Sequence, residues 1–133
     1  MKERRYVNKY GGGVTHDNRG MWPIIKLVLK TREYTMSDKM NFMRSSTFSL
    51  QHMWNEVIDA NLFNKIDSLQ VPTYIFHGRH DNTTPYSVSH DFYTQLKAPD
   101  KGFFTFENSA HSPLFEEPDR FNSIVRDITG KYY

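Results

Sequence analysis

Asp81 and His111 are the two side chains of this sequence best placed to do chemistry together. Each stands across a polar turn from a short β-rich stretch: Val71-Pro-Thr-Tyr-Ile-Phe-His77 ahead of Asp81, and Gly102-Phe-Phe-Thr-Phe106 ahead of His111. A carboxylate that fixes one tautomer of an imidazole and stabilises its cation lets that imidazole take a proton from a hydroxyl, so the pair is two-thirds of a nucleophile triad. A turn-forming aspartate is the bland alternative for Asp81; the matching position of His111 in the next unit favours the acid–base pairing. His77, His80 and Asp81 also spell His-x-x-His-Asp, residue types that ligate zinc. A strand end offers no helical i, i+4 alignment, and a third ligand has to come from elsewhere, so structural histidines are the preferred reading and no metal is expected. His16 and His90 read as solvated, and His52 as packed or exposed beside Met53 and Trp54.

The elements that must position these residues follow from periodicity and turn chemistry. Residues 1–20 read as a helix tail running into a loop, with Gly11, Gly12 and Gly13 as breakers. Residues 21–34 read as a short amphipathic helix with Pro23 in its first turn. Ser37 and Asp38 look like a second helix start. Ser49 then caps a further helix, whose Leu50, Met53, Trp54, Val57 and Ile58 make one buried stripe. From Val71 the order becomes strand, loop, helix, strand, loop, helix. The crossover helix starts at Thr84 and Pro85 and carries Val88, Phe92 and Leu96; Pro118 opens the last helix, with Phe121, Ile124, Val125 and Ile128 on one face. Such a strand–helix–strand unit makes the strands parallel, and both turns leave the same edge of the sheet. Neighbouring strands lie about 4.8 Å apart. Loops of this length can therefore bring Asp81 to His111 where open α/β sheets place their ligands.

Composition narrows the class. Leu, Ile, Val and Phe make up about 23% of 133 residues, enough for a folded core, and 20 aromatics stand against 3 Ala, so the apolar mass comes in large rings. No stretch approaches a membrane span, and the basic N-terminus lacks an apolar signal core. The cytoplasm is the expected compartment, with neither membrane nor nucleic acid as partner. Residues 1–35 hold 8 Lys/Arg against 3 Asp/Glu, but no nucleic-acid module pattern accompanies them. The absence of Cys excludes thiolate nucleophiles and Cys-ligated metals, and no cofactor is expected.

The stretch Val71-Pro-Thr-Tyr-Ile-Phe-His-Gly-Arg-His-Asp-Asn-Thr-Thr-Pro85 resembles the penultimate strand and acid turn of the α/β-hydrolase fold, and Glu107-Asn-Ser-Ala-His-Ser-Pro113 resembles its histidine loop. With the helices before them, they look like the C-terminal half of a proline iminopeptidase-like hydrolase. Tyr10-Gly-Gly-Gly13 matches more loosely. The resemblance implies an α/β fold: a helical cap segment over residues 1–66 and the last two parallel strand–helix units over residues 67–133. It makes Asp81 the triad acid and His111 the general base, acting on an ester, amide or N-terminal peptide bond. The family's nucleophile is a serine in G-x-S-x-G. Ser37, Ser45, Ser46, Ser49, Ser68, Ser87, Ser89, Ser109, Ser112 and Ser123 all lack the flanking glycines, so the nucleophile is expected on a missing N-terminal half, and this chain alone is expected to be inactive. The rival is a truncated, non-catalytic binding module that uses an exposed sheet edge.

Smaller features keep two readings. Some proline iminopeptidases place a glutamate directly after the triad acid to hold the substrate's amino terminus; Asn82 stands there, which weakens the aminopeptidase assignment. Glu116 and Glu117 are of a type to meet an ammonium group, but at a helix entrance they are expected to serve its positive end. Arg79 either neutralises the acid loop or is exposed. Trp22, Phe42, Phe48, Trp54 and Phe63 either pack the cap or line an acyl pocket; the substrate-binding residues stay unknown.

Overall fold

The computed structural model of the chain describes residues 13–17 and 22–132. The helix tail expected before Gly13, including Tyr10, lies outside the described residues. Two compact units are separable: Met21–Ile66, and a second that joins residues 13–17 to Asp67–Tyr133.

The first unit is helical. Helix α1, Trp22–Lys30, ends short of residue 34; Thr31 closes its last turn, its amide and its hydroxyl both donating to the Leu27 carbonyl, at 3.0 and 2.9 Å. Helix α2, Met36–Asp59, is one continuous element where two were expected. Its start is a capping box at Thr35: the Thr35 hydroxyl accepts from the Asp38 amide, and the Asp38 carboxylate accepts from the Thr35 amide at 2.9 Å. No Gly or Pro follows before residue 60, so nothing breaks the helix at Ser49. A one-turn helix, α3, Leu62–Lys65, is capped by the Asn61 side chain. The stripe expected to be buried is open: Met53, Trp54 and Val57 are 54%, 40% and 57% exposed. Trp22 and Phe48 are exposed as well, while Phe42 and Phe63 are half-buried.

The second unit holds β1, Thr73–Gly78, paired in parallel with β2, Lys101–Phe106, in the register Thr73 to Lys101 through Gly78 to Phe106. The first strand begins two residues later than read from sequence, since Pro72 has no N–H for a ladder. Helix α4, Tyr86–Gln95, crosses between the strands, and α5, Pro113–Glu116, and α6, Pro118–Thr129, follow β2.

Strand alternation sorts the rings onto two faces. On one, Phe76 packs on Phe104, Phe106 and, 4.8 Å away, Phe121 of α6. On the other, Phe103 meets Tyr86, His90 and Tyr93 of α4 with ring centroids 5.3 to 5.5 Å apart. The sheet is thus a middle layer between α4 and α6. Lys101 locks the crossover by donating from Nζ to the Tyr93 and Leu96 carbonyls, at 2.8 and 2.7 Å, which satisfies the helix end.

The innermost side chains are Leu96, Phe106, Ser109 and Ala110, so the core reaches its greatest depth under the loop that carries His111. Phe106→Ala is expected to cost about 3–5 kcal/mol, against less than about 0.5 kcal/mol for the exposed Val71→Ala. Urea unfolding of both variants checks the contrast.

Candidate functional site

Asp81 enters the site three residues beyond β1, and His111 five beyond β2. The parallel pairing puts both turns on one edge, and the two side chains meet: His111 Nδ1 lies 2.7 Å from Asp81 Oδ2. The Asp81 side chain is 4% exposed and that of His111 48%. The carboxylate's other oxygen, Oδ1, accepts from the amides of Thr83 and Thr84, at 2.8 and 3.0 Å. That arrangement supplants the expected Thr84 cap; α4 starts at Tyr86 without a side-chain cap, and the aspartate holds its approach instead.

Burial pushes the Asp81 carboxyl up, but the His111 hydrogen bond, the Thr84 and Thr83 amides and the imidazole's charge together outweigh it, and the group lies below its ordinary value. A carboxylate in this state is a strong acceptor for an N–H at Nδ1 of the neighbouring imidazole.

The two loops touch through backbone. Arg79 N–H donates to the Phe106 carbonyl and His80 N–H to that of Ser109, at 2.8 and 3.0 Å. The approach depends on Gly78: a Cβ there would stand 1.9 Å from the Ala110 oxygen and 2.4 Å from that of Ser109. Only a residue without a side chain fits.

The remaining histidines separate. His77 is buried, its Nε2 3.9 Å from Asp81 Oδ2 and without a hydrogen-bond partner among the described residues. Burial pushes its pKa down against the pull of the Asp81 carboxylate, so the ring is neutral at pH 7. His80 stacks on His16, 3.8 Å between centroids, and both are exposed. No three His, Asp or Glu side chains gather into a metal-binding group among the described residues. His90 is exposed but packs on Phe103, and His52 bonds the Phe48 carbonyl at 2.8 Å. Arg79 makes a two-pronged, exposed pair with Glu107, both contacts at 3.0 Å, and lies over the Tyr86 ring.

Glu116 and Glu117 depart from the helix-end reading. Glu117 is the N-cap residue of α6 but makes no side-chain cap bond. Both carboxylates bind the histidine loop, Glu116 at the Ala110 amide and Glu117 at Ser109 and Asn108. Nothing in their sequence neighbourhood signals this, because the partners come from a preceding turn.

The profile of the family described as serine aminopeptidase, S33, matches residues 40–118. The chain is 36% identical over 116 residues to the probable aminopeptidase YbaC of Bacillus subtilis (strain 168), which covers 86% of this chain and 36% of that protein. It is 36% identical over 74 residues to a pimeloyl-(acyl-carrier protein) methyl ester esterase of Vibrio parahaemolyticus, 56% of this chain and 28% of the esterase. It is 31% identical over 64 residues to the proline iminopeptidase of Heyndrickxia coagulans, 48% and 21% of the two chains. The chain spans about a third of the length of the curated relatives it matches. No solved structure matches it.

Two outcomes test the geometry. Gly78→Ala is expected to destabilise the chain by more than about 1–3 kcal/mol, the ordinary cost of overpacking, because backbone rather than side chain must yield; thermal melts measure it. Since the folded pKa of Asp81 is lowered from 3.8, its contribution to stability is full above that value and fades as pH falls through the lower folded one. Melts between about pH 5 and pH 2 should therefore fall less steeply in Asp81→Asn than in the unmodified chain.

Proposed function

Because the chain belongs to the serine aminopeptidase, S33, family of α/β-hydrolases, we propose that it is the C-terminal portion of a serine hydrolase and supplies the acid and general base of its triad. The observation that carries the reading is the 2.7 Å contact between a buried Asp81 and the half-exposed imidazole of His111. His111 Nε2 takes the proton of a serine hydroxyl as its oxygen attacks the substrate carbonyl. The imidazolium then gives that proton to the departing alcohol or amine, and water repeats the cycle to release the acid. Asp81 holds Nδ1–H throughout and stabilises the cation.

The serine itself belongs to a segment outside these 133 residues, since none of the ten serines stands in G-x-S-x-G. The helical cap segment read over residues 1–66 includes the helical unit 21–66, and the exposed rings of that unit are covered in the complete fold. The substrate is an ester, an amide or an N-terminal peptide bond, in keeping with relatives named aminopeptidase, methyl ester esterase and proline iminopeptidase. Asn82 offers no charge to a substrate ammonium, which favours neutral acyl groups. No described helix is long and apolar enough to cross a membrane.

The pure chain is expected not to hydrolyse a nitrophenyl ester. Co-expression with a segment bearing the family's G-x-S-x-G turn should restore turnover, and His111→Ala should abolish it again. Hydrolysis by the chain alone, lost in His111→Ala, would overturn the division of labour; a chain that binds such a segment without turnover would favour the non-catalytic module.

A further inference from the structure

The carboxylates of Glu116 and Glu117 lie where three segments join. Glu116 Oε2 accepts from the Ala110 amide at 2.8 Å, and its Oε1 from the His16 amide at 2.5 Å. Glu117 Oε2 accepts from the Ser109 hydroxyl at 2.6 Å and from the Asn108 amide at 3.1 Å. Residues 13–17 close the arrangement: His111 N–H donates to the Gly13 carbonyl at 3.3 Å, and the His16 ring stacks on His80. Residue type matters here. A carboxylate is all acceptor, so one Glu116 satisfies two amides that approach from different segments, whereas a side-chain amide has one oxygen to offer.

Two observations connect these bonds to His111. Ser109 and Ala110 are fully buried, so water cannot readily replace a lost acceptor at the loop's centre. The imidazole next to them is 48% exposed and meets Asp81 at 2.7 Å, so a shift of the backbone that carries it moves Nδ1 relative to the carboxylate.

We infer that Glu116 and Glu117 are positioning residues for His111, holding the loop so that Nδ1 meets Asp81, with Glu116 also tying the loop to residues 13–17. The inference rests on the acid–base reading of that pair. It turns Glu116 away from the role of ammonium receptor, since both of its oxygens already serve donors of the chain. Asp81 bonds the imidazole from the turn after β1, and the buried His77 interacts with it electrostatically from the end of β1.

Titration of the His111 imidazole by NMR in the full chain tests this, with Asp81→Asn as the reference for a lost partner. Glu116→Ala should lower the imidazole pKa most of the way to the Asp81→Asn value, while Glu116→Gln, whose one oxygen keeps the Ala110 amide but gives up that of His16, should fall by clearly less. Equal drops in both Glu116 variants would reveal a mere loss of charge and overturn the inference, as would no drop in Glu116→Ala. Should Glu116→Ala unfold the chain, Glu117→Ala, with Glu117→Gln as its control, is judged by the same outcomes. An imidazole whose titration ignores Asp81→Asn would overturn the acid–base reading, and this inference with it.

Discussion

A carboxylate taken out of water must be answered by donors, and the second unit is organised around answering that of Asp81. Two backbone amides and one imidazole do so. Removing a partner from a buried charge typically costs about 3–5 kcal/mol, so the turn after β1 and the loop after β2 are energetically one object. The constraint reaches back into the strands. The loops can share the charge only if β1 and β2 are parallel neighbours in the observed register and if Gly78 leaves room for the Ala110 carbonyl.

The same unit explains the aromatic surplus. Six residues per strand, with rings on both faces, need two covers: α4 supplies one with Tyr86 against Phe103, and α6 the other with Phe121 against Phe76. Tyr86 serves both purposes: its ring packs against Phe103 and beneath Arg79, while its hydroxyl pairs with Thr105 at 2.8 Å on the strand that leads to His111. Core and site are thus built from the same residues.

Much of this was legible in the sequence. The alternation of strand and helix patterns after Val71 places Asp81 and His111 on one sheet edge, and their meeting follows from topology rather than from any local signal at either residue. What escaped is of two kinds. Local competition moved element ends: Thr35, not Ser37, caps α2 through its pairing with Asp38, and the chain between offers no breaker at Ser49. Tertiary partners were invisible: a glutamate beside a helix start looks like a helix-end charge until the turn it grips is in place. Likewise the apolar stripe through Met53, Trp54 and Val57 announces that one face is apolar, but periodicity does not say what covers it, and within this chain that face is open.

The sheet has two strands, and neither has another partner among the described residues. Each outer edge therefore carries a row of backbone donors and acceptors whose pairing is undecided, alongside exposed rings. An open strand edge pairs with whatever strand reaches it, so the two edges of this sheet make pairing a matter of mass action as well as of side-chain fit.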